Sequence, residues 1–162
     1  MQLPGRDRDS SPSTVDESTE EGPALRDAGL VAERAMADAA AARDARNRLR
    51  TSPVPTIDAD ERIEPHLLLG EVVHGLRSHA ILRAPGGDEA LGYGGTLYLT
   101  SRRLVHVGQV IVTVQLTDIM ESSLAGERLL LSLRGGEGLT LDLDRPRLLR
   151  AEMAAATRQL RA

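Results

Sequence analysis

Cysteine, lysine, phenylalanine and tryptophan are all absent from this chain of 162 residues. The absence of cysteine excludes disulfides, thiolate metal ligands and thiol nucleophiles, and it fits a reducing cytoplasm best. Tyr93 and Tyr98 are the only aromatic residues, so the hydrophobic core has to consist of Leu, Val, Ile and Ala. Since each buried Leu or Val stabilises a fold by about 1.5–3 kcal/mol, such a core is sufficient.

Long hydrophobic runs and an excess of positive charge are also missing. No apolar run approaches the roughly 18 residues of a membrane span, and the N-terminus lacks the apolar segment of a signal peptide. We therefore expect an unexported cytoplasmic protein without a transmembrane segment. The net charge of −4 falls entirely within residues 1–60, whereas residues 61–162 are neutral, and this balance argues against nucleic-acid binding.

All 20 basic residues of the chain are arginine. Together with the abundant Ala, Leu and Gly, this composition indicates a bacterial genome of high GC content. Arginine also favours bidentate contacts with phosphate or carboxylate groups wherever several of these side chains gather.

The chain divides into four parts by composition. Residues 1–22 are polar and acidic, with too few large apolar groups to offset the entropy of ordering, which predicts a disordered arm. Residues 23–50 predict one long helix of Ala and Arg whose 3-4 pattern of mostly Ala positions buries little area. We expect it to be an exposed tether; the alternatives are self-association, docking of a partner and packing on the barrel. Residues 51–60 contain two prolines and predict a linker before a domain at 61–162.

Alternating apolar runs separated by glycines predict seven strands in this domain. They span residues 71–84, 96–100, 103–108, 110–117, 119–124, 128–134 and 138–144. On the first of them, four apolar residues share one parity and are expected to face the core, namely Val72, Leu76, Ala80 and Leu82.

A helix is predicted over residues 144–162, with Asp144 as its cap. Its buried face is expected to consist of Leu149, Met153, Ala156 and Leu160. Seven antiparallel strands followed by one amphipathic helix predict a mainly β fold, a split barrel that this helix closes.

Residues 94–108, GGTLYLTSRRLVHVG, join two apolar strands through the polar corner Thr100-Ser101-Arg102-Arg103. This hairpin resembles that of GRAM domains, small relatives of the pleckstrin-homology (PH) fold, and the resemblance covers about residues 66–162. It implies a PH-like barrel that binds lipid head groups or other proteins and has no chemistry of its own. The chain departs from PH domains in lacking a Trp in its C-terminal helix.

Arg102 and Arg103 are the best candidates for ligand contacts, because guanidinium groups at a hairpin corner can clamp a phosphate. Together with Arg77 or Arg83 on the neighbouring strand, they would form a basic patch on one rim of the barrel. The alternative is a solvated turn in which these side chains pair with nearby carboxylates.

The remaining motifs predict no chemistry. The Gly-rich loop at residues 86–95 lacks the spacing of a phosphate-binding loop and does not lead into a helix. The four histidines lack the spacing of metal ligands, and no nucleophile elbow accompanies a Ser-His-Asp order. We therefore expect no catalytic residue, no metal site and no cofactor.

These observations predict a non-catalytic adaptor that binds a protein partner through an exposed strand edge or a rim of the barrel. The alternative is peripheral binding to anionic lipid head groups at the inner face of the membrane through the arginine patch. A more remote alternative is a small-ligand carrier or an enzyme that uses the barrel interior. Leu-rich inward positions argue against it, because they would fill a barrel of this size.

Overall fold

A computed structural model of the chain describes residues 23–84 and 94–162; the predicted acidic arm and most of the Gly-rich loop lie outside them. The described elements are, in order, α1 (Pro23–Arg48), β1 (Val73–Arg83), β2 (Gly95–Thr100), β3 (Arg103–Val107), β4 (Ile111–Gln115), β5 (Ile119–Ala125), β6 (Arg128–Leu133), β7 (Gly138–Asp142) and α2 (Pro146–Arg161). Single turns of 3₁₀ helix, Glu64–His66 and Leu116–Asp118, precede β1 and β5.

All seven of these strands belong to one antiparallel sheet with the strand order β4-β3-β2-β1-β7-β6-β5. The sheet curls so that Leu82, Leu104 and Leu131, from three different strands, line the same small cavity. β4 and β5 are the terminal strands and do not pair with each other in the described part of the chain, so the barrel is open between them. α2 contacts β5 and β6 beside this opening. The predicted split barrel closed by a C-terminal helix is confirmed.

β1 bends in its middle and belongs to both halves of the barrel, because it pairs first with β2 and then, over its last three residues, with β7. Two register shifts interrupt the first pairing, and His79 has a positive φ of 57° at the second of them. The predicted single parity is therefore wrong. Ala80 and Leu82 are buried as expected, but Val72 and Leu76 are 41% and 38% exposed. A bulge adds an unpaired residue and turns the side chains beyond it to the other face.

The barrel interior is filled by aliphatic side chains from both halves of the sheet. The cavity that remains among them has a volume of about 10 Å³, room for one water molecule at most. α2 buries Leu149, Met153 and Ala156 as predicted, whereas Leu160 near its end is 39% exposed. The interior thus has no space for a small-molecule ligand.

A second, smaller core lies on the outer face of β1, β2 and β3 and consists of Ile63, Val73, Tyr98 and Val105. It is covered by residues 54–69, which we call the strap. The backbone N–H of Ile57 donates to the carbonyl of Val73 at 2.8 Å, and the hydroxyl of Tyr98 donates to a carboxylate oxygen of Asp60 at 2.7 Å. Burial and this hydrogen bond to Asp60 raise the pKa of Tyr98 to about 12. The strap is therefore attached to the sheet rather than held away from it.

The two halves of α1 have different surroundings. Residues 24–34 are exposed throughout, whereas Ala42 and Ala45 are 1% exposed and lie on the side of the helix that contacts α2. Asp38, which is 3% exposed, accepts hydrogen bonds from the backbone N–H groups of Arg147 at 2.8 Å and Leu148 at 3.0 Å. Both amides belong to the first turn of α2, so the carboxylate of Asp38 caps that helix.

The predicted capping role of Asp144 is wrong. Arg145 occupies the N-cap position with φ 56° and ψ 56°, and its side chain makes no capping hydrogen bond. Asp144 is exposed. Because a side chain 109 residues earlier in the chain satisfies the first amides of α2, no cap from the preceding loop is needed.

Candidate functional site

Three of the four arginines predicted as ligand contacts form ion pairs with carboxylates on different elements. Arg77 lies with its Nη2 atom 2.9 Å from Oε2 of Glu152 on α2. The Nε atom of Arg83 lies 2.6 Å from Oδ2 of Asp142 on β7. In the register of β1 and β2, Arg77 lies opposite Leu97, and Arg83 lies beyond the residue opposite Gly95. The structure therefore does not bring these two side chains together with the β2–β3 corner in one patch.

Arg103, the third, is paired with Glu71 inside the protein. Its Nε lies 2.9 Å from Oε1 and its Nη2 lies 3.0 Å from Oε2 of that carboxylate. The two side chains are 11% and 0% exposed, and Arg103 also donates to the carbonyl of His66. Through these contacts with His66 and Glu71, Arg103 links the strap and the segment before β1 to the hairpin corner.

Thr100 completes the same cluster and explains the polar corner of the hairpin. Its hydroxyl donates to Oε1 of Glu71 at 2.6 Å, and its oxygen accepts the backbone N–H groups of Arg102 and Arg103 at 3.2 and 3.0 Å. Burial alone would raise the pKa of Glu71. Hydrogen bonds from Arg103, the Leu68 N–H and Thr100 outweigh that effect and hold the pKa below its usual value. The corner therefore holds a charged, fully hydrogen-bonded carboxylate in place.

Arg102 is the one predicted arginine whose side chain is exposed, and it lies beside exposed leucines. Its Nη2 donates to the carbonyl of Leu69 at 3.3 Å. Leu69 is 98% exposed and Leu68 is 48% exposed. We call Leu68, Leu69 and Arg102 the tip of the barrel, because it presents two apolar side chains and one cation together.

The two edges of the sheet differ in how open they are. β4 has the sequence IVTVQ, without a charged residue or a proline. Its first residue, Ile111, is 46% exposed, and Val110 directly before it is 55% exposed. β5 contains Glu121, and α2 reaches over it, since Nε of Arg150 donates to Oγ of Ser122 at 3.1 Å. Charged residues and covering elements are the usual protection of an edge strand. β4 is therefore the unprotected edge.

The part of the chain that the structure describes contains neither a cluster of candidate metal ligands nor a helix that could span a membrane. Within residues 23–84 and 94–162, no three His, Asp or Glu side chains gather closely enough to hold a metal ion. His74 and His106 instead lie 2.9 Å from the carbonyls of Pro55 and Ala80. Neither described helix is long and apolar enough to cross a membrane.

A seven-stranded antiparallel barrel with one helix beside its opening defines the PH-like fold. Among solved structures, the chain is similar to one described as the Vps36 N-terminal PH domain, with a TM-score of 0.52 and 18% sequence identity. The match covers 67% of this chain and 96% of that chain. At this identity the likeness shows the fold alone. No family model and no curated protein matches the chain.

Sequence reasoning predicted binding at an exposed strand edge or a rim of the barrel, but it did not identify which strand forms the open edge. The uncharged run of residues 110–116, VIVTVQL, was a visible signal. Its meaning depends on strand order, because the same run in the middle of a sheet would be an ordinary core strand. The observed strand order places β4 at one end of the sheet. The absence of charged residues in β4 indicates an open edge only once this position is known.

Proposed function

We propose that the chain is a non-catalytic adaptor that binds an extended segment of a protein partner along β4. The observation that carries this proposal is the unprotected edge: β4 ends the sheet and has no charge or proline. Unpaired N–H and C=O groups along such an edge accept an additional strand. The filled interior supports binding on the outside of the barrel, and the proposed function needs no cofactor.

The side chains of β4 suit an added strand. Ile111, Thr113 and Gln115 are exposed, and they alternate with Val112 and Val114, which face the core. A partner segment in this position would continue the sheet through its backbone, and every second side chain would pack on the exposed row. We therefore expect a preference for alternating apolar residues in the partner.

The end of β4 offers a site that would fix the register of the added strand. A groove of about 480 Å³ lies there, and Thr113, Gln115, Asp118 and Arg134 are among the residues that line it. Arg134 and Asp118 form a loose, exposed ion pair with 3.8 Å between Nε and Oδ1. Both side chains are exposed and so are accessible to polar groups of a partner. Exposed pairs of this kind contribute little stability, so exchanging the pair for contacts with a partner costs little.

The test is selection of peptides from a display library against the full-length chain. Peptides that bind wild type should lose affinity for Ile111→Lys/Thr113→Lys by roughly tenfold or more, because two charges on the edge oppose strand pairing. Amide hydrogen exchange with a selected peptide should show new protection in β4.

The matched control is Met120→Lys on β5, where the native side chain is 62% exposed. This variant should bind the selected peptides like wild type. Equal weakening by both variants, or new protection confined to another element, would contradict the proposal. Protection of β4 only at high protein concentration and without peptide would identify a second copy of the chain as the segment's source.

A second candidate function is supported by the tip. Two exposed leucines beside the Arg102 guanidinium suit shallow insertion into an anionic leaflet, with the cation at the phosphates. The chain would then lie at the cytoplasmic face of the membrane. Co-sedimentation with anionic vesicles tests it: Leu69→Asp and Arg102→Glu should each reduce binding, whereas Leu25→Asp on the exposed half of α1 should not. Failure of wild type to bind at low salt would remove this candidate.

A further inference from the structure

Between α1 and α2 lies a cleft of about 600 Å³ whose walls are basic. Arg46 lies on α1 and Arg50 in the turn that follows it, whereas Arg150 and Arg158 lie on α2. No Asp or Glu is among the described residues that line it. We call these four arginines the cleft arginines.

The hydrogen bonds of the cleft arginines go to neutral acceptors. Arg50 donates to the side chain of Asn47 at 3.2 Å, Arg150 to the hydroxyl of Ser122 at 3.1 Å, and Arg158 to the carbonyl of Leu49 at 3.2 Å. In contrast, six other arginines of the described chain form ion pairs with carboxylates, namely Arg77, Arg83, Arg103, Arg128, Arg134 and Arg147. Four arginines without an ion pair in the described chain thus line one cleft, where the cations repel one another.

Compensation of helix dipoles explains only part of this arrangement. Arg46 and Arg158 lie in the last turns of their helices, where a cation is favourable. Arg150 lies four residues after Pro146, far from the last turn of α2, so the helix dipole does not favour a cation there. The floor between the walls contains Ala151 and Ala154, whose small side chains keep the cleft open.

We propose that this cleft binds a ligand with at least two phosphate groups. Guanidinium groups pair with phosphate through two parallel hydrogen bonds, and a dense negative charge removes the repulsion among the four cations. Arg150 and Arg158 are eight residues apart, about 12 Å along the helix, which is more than one phosphate can bridge. The volume of the cleft is in the range of ligand sites.

The cleft offers cations to phosphates but no aromatic ring to a base. Its lining consists of Arg, Asn, Leu and Ala without an aromatic residue, so no ring is present on which a nucleobase would stack. Inorganic tripolyphosphate should therefore bind about as tightly as a nucleoside triphosphate. This site is separate from β4 and from the tip. A negative result for phosphate binding would therefore leave the proposed function untouched, and the reverse also holds.

The experiment is isothermal titration of the full-length chain with tripolyphosphate at low salt. Arg46→Ala/Arg150→Ala removes one cation from each wall, and its affinity should fall roughly tenfold or more, since hydrogen bonds to charged groups are the strong ones. The matched control is Arg48→Ala/Arg161→Ala, which removes one exposed arginine from each helix outside the cleft. Arg158 is left unchanged because it also donates to the carbonyl of Leu49, directly after α1. Thermal unfolding confirms that both variants are folded.

Each outcome decides the proposal. Loss of binding in the cleft variant but not in the control supports it. Equal loss in both variants, absence of binding by wild type, or equally tight binding of citrate would overturn it. Vesicles containing a bisphosphorylated inositol lipid distinguish the source: binding that tripolyphosphate displaces and the cleft variant loses assigns a lipid head group. Tripolyphosphate binding without vesicle binding assigns a soluble phosphate compound.

Discussion

The arginines of the barrel and the arginines of the helix cleft differ in what lies opposite them. Arg103 faces Glu71 at 2.9 Å and Arg83 faces Asp142 at 2.6 Å, whereas Arg46 and Arg150 have no carboxylate within ion-pair distance in the described chain. An arginine with a buried carboxylate belongs to the folded structure, and one without such a partner is available to a ligand. The positions of the opposing carboxylates, more than those of the arginines, therefore indicate where an anion binds.

The largest expected effect on stability comes from breaking the buried ion pair between Arg103 and Glu71. Arg103→Ala leaves the carboxylate of Glu71 inside the protein without its cation, and the free energy of unfolding should fall by about 3–5 kcal/mol. Urea denaturation followed by circular dichroism measures it. Arg102→Ala at the neighbouring exposed position should change stability by no more than about 0.5 kcal/mol. A similar small effect of both substitutions would show that the Glu71–Arg103 pair is not a structural anchor.

Acid should weaken the same pair without any substitution. The pKa of Glu71 in the folded state is below its ordinary value of 4.5, so this carboxylate binds a proton more weakly when folded than when unfolded. Its contribution to stability is complete above pH 4.5 and decreases as the pH falls through the folded pKa. Denaturation midpoints measured between pH 7 and pH 3 should fall more steeply for wild type than for Glu71→Gln. Parallel curves would contradict the assignment.

An intermediate loss of stability is expected when Asp38 of α1, which caps α2, is replaced. Asp38→Ala removes the cap of α2 and a carboxylate that lies 3.6 Å from Arg147, and it should cost about 1–2 kcal/mol. Amides in the first turn of α2 should also exchange faster with solvent. Asp44→Ala, at an exposed position on the same helix, is the matched substitution and should leave both measurements unchanged.

The smallest effect on stability should come from the cleft. Arg46→Ala/Arg150→Ala removes no ion pair, and the free energy of unfolding should stay within about 0.5 kcal/mol of wild type. A slight increase is the expected direction, because the substitution relieves repulsion between like charges. A loss of stability comparable to that of Asp38→Ala would mean that these arginines support the fold. The arginines of the cleft would then not differ from the ion-paired arginines of the barrel.

The strands and the closing helix were predictable because their signals are local. The run GLTLDLD alternates between apolar and polar residues, and the alternation alone indicated the strand that became Gly138–Asp142. The final helix was also predicted, and Pro146 forms its first position. In these cases the spacing of apolar side chains, together with a turn residue, is sufficient to predict the element.

The roles of individual side chains were not predictable, because they depend on partners far away in the sequence. Arg103 and Glu71 are 32 residues apart, and Asp38 and the first turn of α2 are 109 residues apart. The bulges of β1 have only a weak sequence signal, since His is enriched among the non-glycine residues with positive φ but most His residues do not adopt it. For the same reason, the four arginines that line the cleft come together only when α1 packs beside α2.

The capping of α2 by Asp38 has a consequence for synthesis of the chain. The carboxylate leaves the ribosome 109 residues before the amides that it binds, a delay of roughly 5–20 s at ordinary rates of translation. During that time the docking side of α1 has no partner. A side made mostly of Ala, such as Ala42 and Ala45, exposes little apolar area while it waits and is less prone to aggregate than a leucine-rich one. The poor core-forming composition of this helix thus suits an element that is translated well before the helix on which it packs.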